Sequence, residues 1–452
     1  MESDKRLSII KRLKPVQILA VGFLTVILIG AILLTLPISS ASGESTPFLS
    51  SLFTSTSAVC VTGLVVVDTG TYWSIFGQIV IMLLIQIGGL GFMSFATLTA
   101  FLLGRRITLR ERLVMQEALN SFSIQGLVKL AKYTLIGTFT IEGIGAILLS
   151  TRFIPDYGFL KGIYFGIFHA VSAYCNAGFD LIGGFRNMMP YQESIIVNVT
   201  IMSLIVIGGI GFTVQSELYM NRDLKKLSLH TKIVLITTAA LILGGALFFF
   251  LLEYNNPNTL KPLSPNGKVL ASFFASVTPR TAGFNTIDTT QMTMPSKLVT
   301  ILLMYIGASP GSTGGGIKTT TFAILFFTVI SVIKGREDTE VFGRRIPKEL
   351  IYRALSLVAI SLTIIIVDIL ILSMTEQGAQ LIEIVYETVS AFGTVGLSLN
   401  FSSRLTSIGR IIIISTMYIG RVGPLTLALA FAQKQLKNGS SIKYPEEKVL
   451  IG

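Results

Sequence analysis

Cys60-Val61-Thr62-Gly63-Leu64, Cys175-Asn176-Ala177-Gly178-Phe179, Arg280-Thr281-Ala282-Gly283-Phe284 and Gly393-Thr394-Val395-Gly396-Leu397 are four versions of one short string. Their glycines stand 115, 105 and 113 residues apart, and near-equal spacing of a local motif marks internal repetition. Each string closes an apolar stretch too short to cross a bilayer, which takes about 20 residues: Phe48–Cys60, Gly162–Cys175, Val269–Thr278 and Leu381–Phe392. Each is followed, 25, 30, 24 and 24 residues after its glycine, by a second marker: Ile87-Gly88-Gly89, Ile207-Gly208-Gly209, Ile306-Gly307-Ala308 and Ile419-Gly420-Arg421. Two motifs in step four times over define a unit of span, half-helix, glycine turn and span. The expected fold is an all-α polytopic membrane protein, four such repeats arranged pseudo-fourfold around one central pore.

The rest of the 452 residues agrees with that reading. Half of them (51%) are hydrophobic and only 13% are charged, against roughly 25% charged in a soluble domain, so a soluble enzyme, a nucleic-acid-binding protein and a disordered chain are excluded. The net charge of +12 is localised. Basic residues gather in the N-terminal tail (Lys5, Arg6, Lys11, Arg12, Lys14), in Arg105–Lys132, Arg222–Lys232 and Lys334–Arg353, and at Lys434, Lys437, Lys443 and Lys448. These five segments hold 25 of the 36 Lys and Arg, and their alternation with basic-poor loops places both termini in the cytoplasm by the positive-inside rule. Eight spans fit: Pro15–Leu36, Trp73–Leu103, Leu130–Leu149, Ser194–Tyr219, Lys232–Leu252, Leu298–Ile333, Ile351–Met374 and Ile411–Ala432. The organisation is then a tail (1–14), repeat one (15–104), a cytoplasmic loop (105–129), repeat two (130–220), a loop (221–231), repeat three (232–333), a loop (334–350), repeat four (351–432) and a tail (433–452). The first apolar run lacks a small-residue cleavage site and is long enough to stay as a span. Cys60 and Cys175 fall in membrane segments and give neither a disulfide framework nor metal-ligand spacing.

Irregular backbone at membrane depth is tolerated only where protein buries it or where it lines a water-filled cavity. A half-helix descending from outside points its partially negative C-terminus at the centre, and a turn after it presents carbonyls that can replace the hydration shell of a monovalent cation. The candidate ion-binding residues are therefore Val61, Thr62, Gly63, Asn176, Ala177, Gly178, Thr281, Ala282, Gly283, Thr394, Val395 and Gly396. Packing glycines are the competing reading of any one turn; four copies in register favour a cation filter.

Further strings carry a family resemblance: Thr-Ser-Ala-Val-Cys-Val-Thr-Gly-Leu at 56–64, Ala-Tyr-Cys-Asn-Ala-Gly-Phe-Asp at 173–180, Thr-Pro-Arg-Thr-Ala-Gly-Phe-Asn-Thr at 278–286 and Gly-Ala-Ser-Pro-Gly-Ser-Thr-Gly-Gly-Gly-Ile-Lys-Thr at 307–319. Over nearly the whole chain these resemble the Trk/Ktr/HKT superfamily of potassium transporters, most closely the Ktr-type membrane subunit of Gram-positive bacteria. Glycine at all four filter positions implies potassium as the transported ion. The resemblance implies a homodimer on a cytoplasmic ring of nucleotide-binding (RCK-type) regulatory proteins. That ring binds ATP or ADP, while this chain holds no cofactor of its own; sodium dependence stays open. Tyr444–Gly452 is implied in dimer contacts. The basic loops Arg105–Arg112 and Lys334–Lys348 are suited either to docking the ring or to facing anionic lipid headgroups.

The sixth span is too long for one straight crossing at 1.5 Å per residue. Its centre, Ala308-Ser309-Pro310-Gly311-Ser312-Thr313-Gly314-Gly315-Gly316, is unsuited to regular helix. A broken helix is expected, and the resemblance makes this stretch an intramembrane gating loop. Arg421 takes the repeat position of Gly89 and Gly209; a cation there is a functional candidate by its cost alone. By resemblance it faces the glycine loop as an electrostatic barrier, with Lys318 either contributing or reaching the cytoplasmic interface. Glu142 and Asp368, in first spans of repeats two and four, are candidates for proton or sodium coupling, or else pair with hydrogen-bond donors. Arg280 is expected to brace the third half-helix or its turn, His169 to be a satisfied buried histidine, and the two cysteines to be packing residues. Gly314-Gly315-Gly316-Ile317-Lys318-Thr319 has the composition of a phosphate loop at the wrong depth, and no nucleophile–base pair or acid dyad suggests an enzyme. The alternative to a channel-like potassium uptake subunit is a cation-coupled secondary transporter with a midplane site.

Overall fold

The computed structural model describes residues 15–91, 108–118, 126–221 and 223–424. The expectations for the tails 1–14 and 433–452, for Arg105, Arg106 and Arg222, and for the C-terminal contact segment Tyr444–Gly452 lie outside the described residues. The principal helices are α1 (Pro15–Thr35), α2 (Phe48–Val59), α3 (Ile75–Leu90), α4 (Leu109–Ala118), α5 (Leu127–Tyr157), α6 (Phe159–Tyr174), α7 (Ile195–Gly209), α8 (Phe212–Met220), α9 (Leu229–Glu253), α10 (Pro265–Val277), α11 (Met294–Tyr305), α12 (Thr319–Ile333), α13 (Lys348–Thr375), α14 (Leu381–Gly393) and α15 (Ser407–Val422).

Helix starts follow local chemistry. Ser74, Ser228, Ser264, Thr293 and Thr406 each accept a hydrogen bond from the backbone N–H three residues on, capping α3, α9, α10, α11 and α15. In repeats three and four a glutamate at the end of the first span fixes where the last span begins. Glu253 accepts from the N–H and hydroxyl of Thr293 at 2.9 and 2.7 Å; Glu376 accepts from those of Thr406 at 3.0 and 2.5 Å. Recurrence of this contact in two repeats has a physical cause, since an orphaned helix N-terminus and a nearby carboxylate satisfy each other.

Among the described residues four helices are long and apolar enough to cross a membrane alone: α1, α5, α9 and α13. Their outward faces carry Ile29, Ile32, Ile147, Leu247, Leu251, Leu362 and Leu370 in exposed positions. Apolar residues outward on this scale are stable only in hydrocarbon. The half-helices α2, α6, α10 and α14 occupy the interior instead, with Phe53, Phe168, Phe274 and Phe392 buried. The fourth repeat packs on the first: α15 contacts α1 and α2, the Tyr418 hydroxyl donating to the Ala20 carbonyl at 2.8 Å and Arg410 Nη1 to Ser50 Oγ at 3.3 Å.

Among the described residues the sixth and the fourth spans are broken within their length, and the helices of the second and eighth end at Gly91 and Gly423, both at positive φ. The sixth breaks between α11 and α12, as the glycine string predicts. The fourth, expected as one span over Ser194–Tyr219, bends by 98° between α7 and α8. Gly211 turns the chain at φ +96°, and the Phe212 N–H donates to the Gly311 carbonyl at 2.8 Å. A loop from another repeat supplies the acceptor that the preceding helical turn would otherwise have provided. The stretch 334–350 also folds further than expected: Glu340–Val341 pairs antiparallel with Arg344–Arg345, packing Val341 and Ile346 onto Ile233 and Ala323.

Candidate functional site

The four glycine strings adopt one backbone conformation. Two residues before each glycine the chain is left-handed, at Val61 (φ +50°), Asn176 (+58°), Thr281 (+69°) and Thr394 (+50°), and the glycines themselves have φ +91°, +71°, +76° and +90°. Left-handed valine and threonine are costly outliers, held only where surroundings over-determine them. In three repeats the surroundings begin with a helix-ending motif: Thr62, Ala177 and Val395 donate to the carbonyls of Ser57, Ser172 and Ser390, each at 2.8 Å, satisfying the last carbonyls of the half-helix.

The turns also meet one another. A Cβ added to Gly63 would fall under 3.0 Å from the Ala177 carbonyl oxygen; one on Gly178 would meet Ala282 O, one on Gly283 would meet Val395 O, and one on Gly396 would meet Thr62 O. The sequence of contacts runs through all four repeats and returns to the first. Glycine is required at each position for two reasons, the positive φ and the neighbouring carbonyl.

Loop 308–316 lies against these turns. Gly315 N–H donates to the Thr394 hydroxyl at 3.0 Å, and the Thr313 hydroxyl donates to the Tyr174 carbonyl at 3.3 Å. Ser309 N–H donates to Gly209 O at 3.0 Å, and Gly307 N–H to Ile317 O at 2.8 Å. Its small hydroxyls satisfy freed backbone, the Ser312 hydroxyl donating to Ser309 O at 2.6 Å. Arg421 reaches the loop directly: Nη1 donates to the Thr313 carbonyl, and Nη2 to the Gly88 carbonyl and, at 3.4 Å, to Gly89 O. Lys318 is drawn back onto the loop rather than out to an interface, its Nζ donating to Gly314 O at 2.7 Å and Gly315 O at 3.4 Å.

The TrkH family, described as cation transport protein, matches residues 4–444. The chain belongs to the TrkH family. It is 47% identical to Ktr system potassium uptake protein B of Bacillus subtilis, over 98% of this chain and 97% of that protein. It is 44% identical to the potassium/sodium uptake protein NtpJ of Enterococcus hirae, over 98% of each. In fold it resembles the crystal structure of the potassium transporter TrkH from Vibrio parahaemolyticus, with a TM-score of 0.70 at 18% identity, covering 91% of this chain and 85% of that one. The family is one of cation transporters, not of enzymes.

Sequence reasoning missed a set of hydroxyls behind the turns of this TrkH-family chain. Ser57 and Ser390 accept from the N–H of Gly63 and Gly396 at 3.0 and 3.1 Å. Ser172 donates to the Phe179 carbonyl at 2.8 Å, and Thr278 donates to the Phe284 carbonyl. The signal was available: a serine stands six residues before the glycine in repeats one, two and four, and a threonine five before it in repeat three. Asn176 also bonds across to the Thr281 hydroxyl at 3.2 Å, linking two turns.

Beyond the glycines a cavity of about 260 Å³ opens, lined by the four glycines and by Asp68, Asp180 and Asp288. Burial, and then the nearby Asp68 carboxylate, push the Asp180 carboxyl up to about 6 from its ordinary 3.8, against hydrogen bonds from Ile182 N–H and Asn187.

The remaining candidates have partners. Glu142 accepts from Gln86 Nε2 at 3.1 Å and lies 3.8 Å from the Cys175 thiol; Asp368 accepts from the Thr416 hydroxyl at 2.6 Å. Arg280 donates from Nη2 to Thr238 on α9 at 3.2 Å. His169 is held between the Phe165 carbonyl and the Leu181 N–H. Both cysteines are buried and free. Among the described residues no group of three or more His, Cys, Asp or Glu is placed to hold a metal ion.

Proposed function

We infer that this chain takes up potassium across the plasma membrane as the ion-translocating subunit of a Ktr-type system. The observation that carries this reading is the closed circuit of glycines and carbonyls from Gly63 through Gly178, Gly283 and Gly396 back to Thr62. Four half-helix C-termini converge there, and carbonyl rings of this kind coordinate a dehydrated monovalent cation. The twelve residues of the four turns form the selectivity filter, lining one pore with pseudo-fourfold arrangement of the repeats. The relatives named for potassium uptake support potassium as the ion.

Loop 308–316, with Arg421 and Lys318, is the gate on the far side of the filter. Arg421 both bonds the loop and places a charge on the path, so it acts as clamp and barrier together. Regulation comes from a cytoplasmic nucleotide-binding ring on which a homodimer of the chain sits, with both termini cytoplasmic; ATP or ADP belongs to that ring. The relative's designation as part of a Ktr system supports a second component.

A coupled secondary transporter would need Glu142 or Asp368 as the coupling site. Both carboxylates are already engaged by side-chain donors, which favours the channel-like reading. The test is growth and potassium uptake in a bacterium lacking its own uptake systems, with the chain expressed alone and with a Ktr-type regulatory subunit. Rescue that disappears in Gly178→Asp, with the variant still in the membrane, is the expected outcome. Absence of rescue in both strains, at normal expression, refutes it.

A further inference from the structure

Nine residues before each ring glycine, the half-helix carries Thr54, His169, Phe274 and Glu387. All four are buried, yet only two of them hold the chain on the far side of the turn. His169 Nε2 accepts from the Leu181 N–H at 3.2 Å, three residues past Gly178, while Nδ1 lies 2.7 Å from the Phe165 carbonyl. One nitrogen facing a carbonyl and the other facing an N–H fix the neutral tautomer with its proton on Nδ1. Glu387 accepts from the hydroxyl of Ser398, two residues past Gly396, at 2.7 Å, and from that of Ser402.

Repeats one and three lack this support. The Thr54 hydroxyl has no partner, and Phe274 has none to offer; it borders a small cavity with Thr286 and Leu397. Their outer segments are tied sideways instead. Asp68 accepts from the Gly184 N–H at 2.5 Å, Asn187 accepts from the Asn285 N–H at 3.1 Å, and the Thr289 hydroxyl donates to Ser398 O at 2.8 Å. The repeats follow one another around the ring, so two and four are on opposite sides of it.

We propose that His169 and Glu387 are positioning residues that hold the second and fourth filter turns from behind and thereby set which monovalent cation the ring accepts. The proposal rests on the reading of the four turns as the potassium filter. A carbonyl ring discriminates through its width and the number of its oxygens, so a turn free to move inward would admit sodium by closing around it. Hydrogen bonds between pore helix and outer segment oppose that movement, those to a carboxylate most strongly.

The test is the ratio of sodium to rubidium uptake, with each variant reconstituted at equal protein level together with its regulatory partner. His169→Ala and Glu387→Ala should raise the ratio about five- to tenfold, the scale of one lost hydrogen bond. His169→Gln and Glu387→Gln each retain an acceptor and should stay within about twofold of the unsubstituted protein. Thr54→Val, at the equivalent position without a bond, should leave the ratio unchanged. If the alanine variants fail to accumulate, Ser398→Ala removes one of the two Glu387 bonds from the loop side and should raise the ratio in the same direction. An unchanged ratio in His169→Ala or Ser398→Ala overturns the proposal, as does an equal rise in Thr54→Val. Gly178→Ser separates the two levels: if it alters the ratio while these variants do not, the positioning role fails and the filter reading stands; if it too is without effect, the filter reading fails.

Discussion

Replacing Arg421 by alanine should release the gate without dismantling it. In the structure Arg421 joins the first repeat, through the Gly88 and Gly89 carbonyls, to the loop, through the Thr313 carbonyl. Of these Arg421 bonds only that to Thr313 restrains the loop, and a hydrogen bond from a charged donor contributes about 1.5–3 kcal/mol. Its loss moves the closed-to-open ratio by roughly 10- to 150-fold. The loop keeps its contacts to Gly209, Phe212 and Thr394, so it remains seated most of the time. Rubidium uptake into proteoliposomes, measured without the regulatory partner, should therefore rise by one to two orders of magnitude. Arg421→Lys separates charge from clamp: it retains the positive charge but has no planar fork to span two carbonyl groups. An intermediate flux is expected from it, whereas a pure barrier would be restored in full. Resting flux in Arg421→Ala equal to that of the unsubstituted protein, at equal incorporation, refutes both roles.

Other outcomes follow from the same geometry. Gly63→Ser places a side chain at φ +91° and against the Ala177 carbonyl; a left-handed penalty of about 1–2 kcal/mol falls on the ring, and the potassium-over-sodium uptake ratio should drop roughly tenfold. The Asp180 carboxyl, raised to about 6, is charged above that pH and neutral below it. Lowering the external pH from about 7.5 to about 5 should therefore weaken uptake at limiting potassium by removing a negative charge from the cavity, and Asp180→Asn should flatten the profile. Glu217 accepts from the Ser228 N–H and hydroxyl at 2.6 and 2.7 Å and from the Thr231 hydroxyl. Glu217→Ala should lower the thermal midpoint of the purified protein at pH 7 by a few degrees, about 1–3 kcal/mol.

Much of the site was legible because glycine leaves few alternatives. Where φ is positive and a carbonyl approaches the Cα, no other residue fits, so Gly63, Gly178, Gly283 and Gly396 mark the turns in the sequence itself. The second marker has a similar cause: a Cβ on Gly88, Gly208 or Gly420 would collide with the carbonyl of Val59, Tyr174 or Phe392, at the end of the half-helix in the same repeat. What was not legible involves partners without a side-chain trace. Arg421 bonds only backbone oxygens in its gate contacts, and nothing in the loop's composition names them. The bend at Gly211 depends on a carbonyl 100 residues later, at Gly311, while the run over 194–219 reads as one continuous apolar span. Ser57, Ser172 and Ser390 look like small packing residues until their hydroxyls are seen facing the turns. His169 and Glu387 share a position but no chemistry, which hides their equivalence.

Closing the ring within one covalent chain gives it a mechanical anisotropy that four identical subunits would lack. Every turn is held by a hydroxyl of its own half-helix, but those at Gly178 and Gly396 carry a second brace, at His169 and Glu387, that those at Gly63 and Gly283 lack. Stiffness is thus two-fold around the axis although the carbonyl arrangement is near fourfold. An ion too large for the ring widens it along the line joining Gly63 and Gly283, into an ellipse, and stays pressed against the stiffer pair of turns as it does so.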